Sequence, residues 1–299
     1  MSRGGRDDDR ADVRETAVTR TPLERPVPRH RPHPSENVFT YGLMLPRGEE
    51  RERVEFRDRS YALNGSETRG LATVGAFRVV DTADFKADEQ GRNRFDGDWR
   101  HLREAGLVTQ TTITDRDGAH HVVSLTRDGK DLLDAHATTR SDGKHQAFYA
   151  GVVKPRELAH DARLYGVFGE EARRIEREGG RVTRVVLDYE VKREYQQFLN
   201  RRDRPADSDA AQDRLAFAQA HDLKVVGGHL QLPDLRIEYE TEDGRFEYRD
   251  VELVTEHYSR GQVSGKTRAG FTCYRMGGHG GQARTGGSPF DPRHLERLS

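Results

Sequence analysis

The chain has 299 residues, a length that fits one or two domains. Charged residues make up 34% and hydrophobic residues only 33%, so part of the chain is expected to lie outside any packed core. The formal net charge of −1 excludes a basic field over the whole surface that would attract nucleic acid. The single cysteine, Cys273, excludes an internal disulfide and a cysteine-based zinc site, and it suits a reducing cytoplasm.

The two ends of the sequence lack the patterns of packed structure. No apolar run approaches the roughly 20 residues of a membrane span, and the N-terminus is charged rather than signal-like, which predicts a cytoplasmic protein with no membrane contact. Residues 1–58 mix arginines, acids and prolines without a hydrophobic period and are predicted to be a disordered tail. Residues 276–299 are glycine-rich and are predicted to be a flexible tail.

Residues 61–137 predict the order helix, short helix, helix, β-hairpin, helix. Ser66 is expected to cap the first helix, and Asp81 the short second one. Gly106 supplies a left-handed end to the third helix. β-branched residues then predict a hairpin, and Thr126 is expected to cap the helix that follows it.

Two stretches of this region resemble the winged helix-turn-helix domain of MarR-type regulators. They are Leu-Arg-Glu-Ala-Gly-Leu-Val at 102–108 and Leu-Thr-Arg-Asp-Gly-Lys-Asp-Leu-Leu at 125–133. The resemblance implies that the third helix enters the major groove of DNA and that the hairpin is the wing. The candidate DNA contacts are then Arg92, Arg94, Arg100 and, at the wing tip, Arg116. Trp99 on the same helix is interpreted as a core residue.

The charge of this region leaves its role open. Residues 61–137 hold 10 lysines and arginines against 13 acidic residues. This balance is unfavourable for a phosphate-binding surface. A wing that contacts another protein is therefore the alternative to a DNA-reading wing.

Residues 155–275 predict an α/β domain with a mixed sheet. Apolar residues recur every three or four positions from Leu158 to Ile175, which indicates a long amphipathic helix ended by Gly179-Gly180. The rest of this region predicts, in order, a buried strand from Val182, helices over Lys192–Asn200 and Ala211–His221, strands over Leu230–Tyr239 and Phe246–Thr255 joined by a turn, and a helix over Gln262–Phe271. The fold class is α/β (α+β).

Acidic residues follow the period of the last two predicted strands. Asp234 comes after Pro233 at one strand, and Glu252 lies on the next, so both carboxylates can face the same side. Two carboxylates a few ångströms apart are suited to hold Mg²⁺, which can activate a water and stabilise a pentavalent phosphate. His160 and Asp161 on the long helix are further candidates, although an ordinary polar helix edge explains them equally well.

This arrangement resembles the restriction-endonuclease-like fold, whose signature is Pro-Asp … (Asp/Glu)-x-Lys. The match departs from the signature at the lysine, because Val254 stands two residues after Glu252. The nearest replacements are Lys266, Arg268 and His257. A lysine displaced to the next helix and an inactive site are both compatible with the sequence, and the valine favours the inactive site.

The combination of a winged helix with His160-Asp161, Pro233-Asp234 and Glu252 resembles the replication-relaxation family of plasmid and conjugative-element proteins. The resemblance implies a DNA-binding accessory of replication or mobilisation, with a relaxase or replication protein as partner and a homodimer as a compatible state. Two alternatives stay open. One is a Mg²⁺-dependent DNA nuclease using Asp234, Glu252 and Lys266, and the other is a winged-helix transcriptional regulator.

Overall fold

The computed structural model describes residues 38–85, 95–115, 118–139, 144–151, 157–201, 209–255 and 257–275. The predicted DNA contacts Arg92, Arg94 and Arg116 lie outside these ranges, as do the predicted tails over residues 1–37 and 276–299. Among the described residues, no helix has the length and apolar character needed to cross a membrane.

The first half of the described chain consists of short strands and three helices. A short 3-10 helix (Val38–Thr40) comes first. The elements that follow are β1 (Glu52–Phe56), β2 (Arg59–Leu63), α1 (Gly65–Phe77), β3 (Val79–Asp81), a second 3-10 helix (Thr82–Asp84), α2 (Phe95–Glu104), β4 (Val108–Asp115), β5 (Gly118–Leu125) and α3 (Arg127–His136).

Strands β3, β4 and β5 form an antiparallel sheet in the order β3-β5-β4. The predicted hairpin is confirmed, and so is the cap of α3, where the Thr126 hydroxyl accepts a hydrogen bond from the backbone N–H of Gly129. Gly106 has a φ of 74°, which is the left-handed conformation that ends α2. Trp99 is buried against Phe85 at a centroid distance of 4.9 Å, as expected of a core residue.

The start of α1 corrects one prediction. Asn64, not Ser66, is the N-cap, and it forms a capping box with Glu67, whose side chain bonds back to the Asn64 backbone. Ser66 lies inside the helix and donates its hydroxyl proton to Asp98. Two neighbouring polar residues can each cap a helix, and here the reciprocal bond to Glu67 selects the first of them.

Residues 38–58 are folded, so the prediction of a tail up to residue 58 is wrong for this stretch. Strand β1 pairs with β2 and buries Val54 against Tyr61. Phe39, Leu43 and Leu45 are also buried in the core. These apolar residues are irregularly spaced among charged ones, and therefore no helix or strand period revealed them.

The second half is built on a four-stranded mixed sheet. Its elements are α4 (Leu158–Arg177), β6 (Arg181–Leu187), α5 (Asp188–Leu199), α6 (Ala210–Ala220), β7 (Lys224–Val226), β8 (His229–Gln231), β9 (Leu235–Glu240), β10 (Phe246–Val254), α7 (Arg260–Arg268) and β11 (Thr272–Arg275). The sheet order is β11-β10-β9-β6, with β11 parallel to β10 and the other pairs antiparallel.

Two features of this half differ from the prediction. The extended stretch from Leu230 to Tyr239 is divided into β8 and β9, because Pro233 has no N–H to donate to a strand ladder. Strand β11 was not predicted. It is short, and it directly follows α7 at a point where the sequence shows no turn signal beyond Gly270.

One continuous hydrophobic core joins the two halves. Phe168 on α4 contacts Phe77 of α1 and Phe39, at centroid distances of 5.1 and 5.4 Å. The buried residues of α1, α3 and β5 belong to the same cluster as those of α4, β6, β9 and β10. The described residues, from Val38 to Arg275, accordingly group as one compact unit.

A smaller cluster lies in the segment between β6 and β9. Phe217 of α6 packs against Tyr195 and Phe198 of α5 and against the β7–β8 hairpin. This segment, which we call the insertion, runs from Asp188 to Asp234. Strands β6 and β9 are antiparallel neighbours, and Leu187 lies opposite Leu235. Both ends of the insertion therefore lie at the same end of the sheet.

Candidate functional site: an acidic centre at one end of the sheet

Asp234 and Glu252 lie opposite each other on neighbouring strands. In the register of β9 and β10, Arg236 pairs with Asp250, and the same register carried two residues further places Asp234 beside Glu252. Side chains two residues apart on a strand share a face. The spacing of the acids along the sequence therefore leads directly to their proximity in the fold.

Each of these carboxylates also bonds to the backbone of the other strand. The Asp234 N–H donates to Glu252 Oε2 at 3.2 Å, and the Leu253 N–H donates to Asp234 Oδ2 at 2.8 Å. These reciprocal bonds fix the two side chains relative to the sheet. The Glu252 side chain is fully buried, whereas 15% of the Asp234 side chain is exposed, so any ligand would reach the pair from the Asp234 side.

Lys266 of α7 reaches Glu252 from outside the sheet. Its Nζ lies 2.8 Å from Glu252 Oε1 and also donates to the Leu232 carbonyl at 2.6 Å. Val254 packs with Val263 of α7, three residues before Lys266. The valine at the expected lysine position thus anchors the helix that carries a lysine to the same carboxylate.

The environment of Glu252 favours its neutral form. Burial, together with the nearby charge of Asp234, raises the pKa of Glu252 to about 7, although Lys266 and a hydrogen bond from Tyr258 oppose the shift. The Tyr258 hydroxyl donates to Glu252 Oε1 at 2.7 Å. A carboxylate with a pKa near 7 beside a second carboxylate is a feature typical of functional sites.

His160 of α4 pairs with Asp234. Its Nε2 lies 3.3 Å from Asp234 Oδ2, and its Nδ1 lies 3.3 Å from Asp161 Oδ1. Burial would lower the pKa of His160, but the hydrogen bonds and charges of Asp161 and Asp234 outweigh it and raise the pKa to about 10. His160 is therefore protonated at neutral pH and donates to both acids.

Tyr189 and Arg78 complete this side of the centre. The Tyr189 hydroxyl donates to Asp161 Oδ2 at 2.7 Å. The guanidinium of Arg78, the residue that ends α1, lies 4.1 Å from the centroid of the Tyr189 ring. A chain of contacts therefore leads from the first half of the protein to His160 and Asp234.

A second ion pair lies at the start of α5. The backbone N–H of Asp188 donates to the Asp234 carbonyl at 3.3 Å, and the Asp188 side chain pairs with Lys192 one turn along the helix. Burial, and the charges of Asp234 and Asp161, raise the pKa of Asp188, while Lys192 lowers it. The acidic centre, as we use the term, consists of His160, Asp161, Asp188, Lys192, Asp234, Glu252 and Lys266.

The carboxylates of the acidic centre offer only part of the ligand set that a divalent metal ion needs. In the described part of the chain, no group of three or more His, Cys, Asp or Glu side chains is arranged to hold a metal. Asp234 and Glu252 are a pair, and Mg²⁺ in phosphoryl-transfer sites is commonly held by one or two carboxylates together with waters and substrate oxygens. Burial, and then the charge of Asp234, raise the pKa of Glu252, and a cation bound beside the pair would favour the ionised form. The residues present therefore fit a metal shared with a substrate, and not a cage made by the protein alone.

Three other candidates from the sequence belong to the described residues. Arg100 is exposed on α2. Arg268 and His257, the other candidates to replace the missing lysine, are exposed. The structure brings together His160, Asp161, Asp234, Glu252 and Lys266.

Sequence reasoning missed four residues of this region: Asp188, Tyr189, Lys192 and Tyr258. The strand predicted from Val182 ends at Leu187, and α5 begins at Asp188, four residues before the predicted start of that helix at Lys192. An acid four residues before a lysine, as in Asp188 and Lys192, is a helix-pair signal that could have indicated the earlier start of α5. No sequence signal places Tyr258 beside Glu252.

Comparison with known proteins gave no match. No known protein family matches the chain, and no curated protein or solved structure is similar to it.

Proposed function

We propose that this protein binds DNA through a winged helix and hydrolyses phosphodiester bonds in DNA at the acidic centre, with a divalent metal ion. The observation that carries the proposal is the contact of Lys266 Nζ with Glu252 Oε1 at 2.8 Å. Asp234 lies beside Glu252 and accepts a hydrogen bond from the N–H of Leu253, on the strand that carries Glu252. A valine at the signature position had favoured an inactive site. A lysine supplied by α7 removes that argument.

The elements around the centre support the endonuclease-like interpretation. A long helix (α4), a strand (β6) and a hairpin (β9–β10) with acids on its two adjacent strands occur in the order that the resemblance requires. The mixed sheet and the position of Asp234 at the first residue before β9 agree with it. The insertion then separates β6 from the hairpin.

In this proposal the metal would be held by Asp234 and Glu252, and when bound it would supply activation of a water and neutralisation of charge on the phosphate. Lys266 favours the ionised form of Glu252 against the effect of burial, and its second bond, to the Leu232 carbonyl, fixes the position of the ammonium. His160 orients Asp234 through Oδ2, the oxygen that also accepts the Leu253 N–H. The burial of Glu252 excludes bulk water from the inner side of the pair.

The first half supports the DNA-binding part of the proposal. Its order of helix, strand, 3-10 helix, helix, hairpin and helix, with strands arranged β3-β5-β4, agrees with the winged helix implied by the sequence. In this interpretation α2 is the recognition helix. Its buried side holds Trp99 and Leu102, and Arg100 and Arg103 are exposed.

Nicking of supercoiled plasmid in Mn²⁺ or Mg²⁺ tests the hydrolytic part. Wild type should nick the plasmid, and Asp234→Asn, which keeps the size of the side chain and can still accept the Leu253 N–H, should not. Glu240→Gln is the matched control, since it neutralises a carboxylate on the same face of β9 that pairs with Arg181 at the far end of the strand. Failure of wild type to nick in either metal, or nicking that survives in Asp234→Asn, would refute hydrolysis at this centre.

A salt titration of DNA binding tests the winged helix. The double substitution Arg94→Ala and Arg100→Ala should weaken binding and lower the slope of log affinity against log salt by about one unit for each lost phosphate contact. Arg245→Ala serves as the control, because Arg245 is a highly exposed arginine on the β9–β10 turn. An unchanged slope in the double variant would show that α2 does not read DNA.

A second candidate function is a DNA-binding accessory without hydrolysis, as the resemblance to replication-relaxation proteins implies. It is favoured by one observation: His160 pairs with Asp234, and Lys266 with Glu252, so both carboxylates already have a cationic partner within the protein. In that case a divalent metal ion would neither stabilise the protein nor lead to nicking of DNA. A relaxase or replication protein would be the functional partner.

A further inference from the structure

The three cations of the acidic centre differ in exposure. The side chains of His160 and Lys266 are only 22% and 17% exposed, and each is bonded to two acceptors inside the protein. The side chain of Lys192 is 57% exposed. A phosphate that approaches the centre from solvent would meet Lys192 before either of the buried cations.

Lys192 is held close to the reacting carboxylates by its own helix. It pairs with Asp188, whose backbone N–H bonds to the Asp234 carbonyl. The charge of Asp188, and at longer range that of Asp234, raises the pKa of Lys192, so the ammonium stays charged. The Lys192 end of this ion pair lies at the surface, where solvent screens the attraction, so the lysine can leave Asp188 for another anion.

The centre needs such a cation at its mouth. Asp188 and Asp234, whose side chains are 20% and 15% exposed, are the carboxylates that an approaching phosphodiester would meet there, and both would repel it. A lysine that can leave Asp188 for a phosphate oxygen reduces that repulsion where the substrate enters.

We propose that Lys192 is the residue of the acidic centre that contacts the DNA phosphate, and that Asp188 holds it in place until DNA binds. The inference rests on the proposed function, because it assumes that DNA is the ligand of this centre. It assigns to the insertion a direct part in substrate binding. The lysine would exchange one anionic partner for another without any change in its own charge.

The experiment compares Lys192→Gln, Asp188→Asn and Lys144→Gln in the full chain. Lys144 is the matched control, since its ion pair with Glu238 has nearly the same exposure, 54% and 21% against 57% and 20%. Binding of a fluorescent 20-base-pair duplex is measured by anisotropy in Ca²⁺ over a series of NaCl concentrations. Plasmid nicking in Mn²⁺ is measured in parallel.

Lys192→Gln should lower the salt slope by about one unit and weaken binding, while Lys144→Gln leaves both unchanged. Asp188→Asn should bind DNA as tightly as wild type or more tightly, because it frees the lysine and removes a negative charge. If Lys192 only braced α5, the two members of the pair would behave alike, and that result would overturn the proposal. A salt slope in Lys192→Gln equal to that of the control would overturn it too.

The two assays separate this inference from the proposed hydrolysis. If wild type does not nick DNA but Lys192→Gln alone loses one unit of salt slope, Lys192 is a phosphate contact in a protein that does not hydrolyse DNA. If wild type nicks DNA and Lys192→Gln nicks and binds like wild type, hydrolysis stands and the inference about Lys192 is wrong.

Discussion

Two fully buried glutamates, Glu171 on α4 and Glu252 on β10, have different surroundings. Glu171 of α4 accepts hydrogen bonds from Tyr274 and from Arg249 at 3.0 Å, and it pairs with Arg174 at 3.2 Å. Glu252 has a single lysine and a tyrosine, and it faces Asp234. Glu171 therefore has two arginines as partners. Glu252 has one lysine and lies beside a second carboxylate, that of Asp234.

The difference shows which of the two carboxylates is structural. A buried charge that is fully paired can be kept for the stability of the fold, and removing one partner is costly. A buried charge left next to a like charge lowers stability, and such an arrangement is expected where a ligand supplies the missing positive charge. On this criterion Glu171 is a structural carboxylate, and Glu252 is the one for which we propose a metal ion as partner.

The largest expected effect is on folding stability. Glu171→Gln should lower the free energy of unfolding by about 3–5 kcal/mol, because Arg249 and Arg174 lose their buried counter-charge. Glu252→Gln at pH 7.5 should cost less than about 1 kcal/mol, since the lost attraction to Lys266 is offset by relief from burial and from Asp234. Urea denaturation measures both. Equal costs for the two substitutions would remove the distinction between them.

The next effect is stabilisation by metal. Mn²⁺ at 100 times its dissociation constant should add about 2.7 kcal/mol to the free energy of unfolding of wild type. Asp234→Asn and Glu252→Gln should lose this gain. Glu178→Gln should keep it, because Glu178 pairs with Arg249, the partner of Glu171. Melting curves with and without Mn²⁺ provide the measurement, and a gain that persists in Asp234→Asn would place the metal elsewhere.

A further effect concerns pH. The pKa of Glu252 is raised from 4.5 to about 7 in the folded protein. Between pH 4.5 and 7, Glu252 is therefore protonated in the folded protein and ionised in the unfolded protein. The contribution of Glu252 to stability is thus present below pH 4.5 and is lost as pH rises to 7, at up to about 1.4 kcal/mol per pH unit.

His160 acts in the same direction at higher pH, since its pKa is raised from 6.5 to about 10 and its contribution is lost as pH rises through 10. Subtracting the unfolding free energies of Glu252→Gln from those of wild type between pH 4.5 and 8 removes the shared His160 contribution. A difference that does not vary with pH would contradict the raised pKa of Glu252.

The smallest effect distinguishes the two tyrosines. Tyr274→Phe should cost about 1 kcal/mol more than Tyr258→Phe at neutral pH, because Glu171 loses a buried hydrogen-bond donor, whereas Glu252 can take up a proton instead. Chemical denaturation of both variants tests this. If Tyr258→Phe is the more costly change, Glu252 is firmly ionised in the folded protein and the comparison above does not hold.

Much of the acidic centre could be predicted from the sequence, because it depends on strand periodicity. Asp234 and Glu252 follow the period of two hairpin strands, and a hairpin places such residues side by side whatever surrounds them. Lys266 was a candidate because it lies on the next helix. Its contact with Glu252 could not be derived, since it depends on how Val254 and Val263 pack.

Other features could not be predicted because they depend on contacts between distant segments. Phe39 is buried against Phe77 of α1 and Phe168 of α4, which are distant from it along the chain. Tyr258 meets Glu252 through the path of a loop. The start of α5 at Asp188 was obscured because Leu187, Tyr189 and Val191 continue the alternation of apolar residues of the strand.

The insertion between β6 and β9 has a consequence for the order of folding. Strands β9 and β10 are joined by a short turn, so closing that hairpin loses little chain entropy, while β6 can pair with β9 only after the whole insertion is looped out. The hairpin is therefore expected in the folding nucleus, with β6 and α4 docking later. Asp234 and Glu252 would then come together before His160 arrives to neutralise one of them, so mild acid should accelerate the early folding phase of this protein.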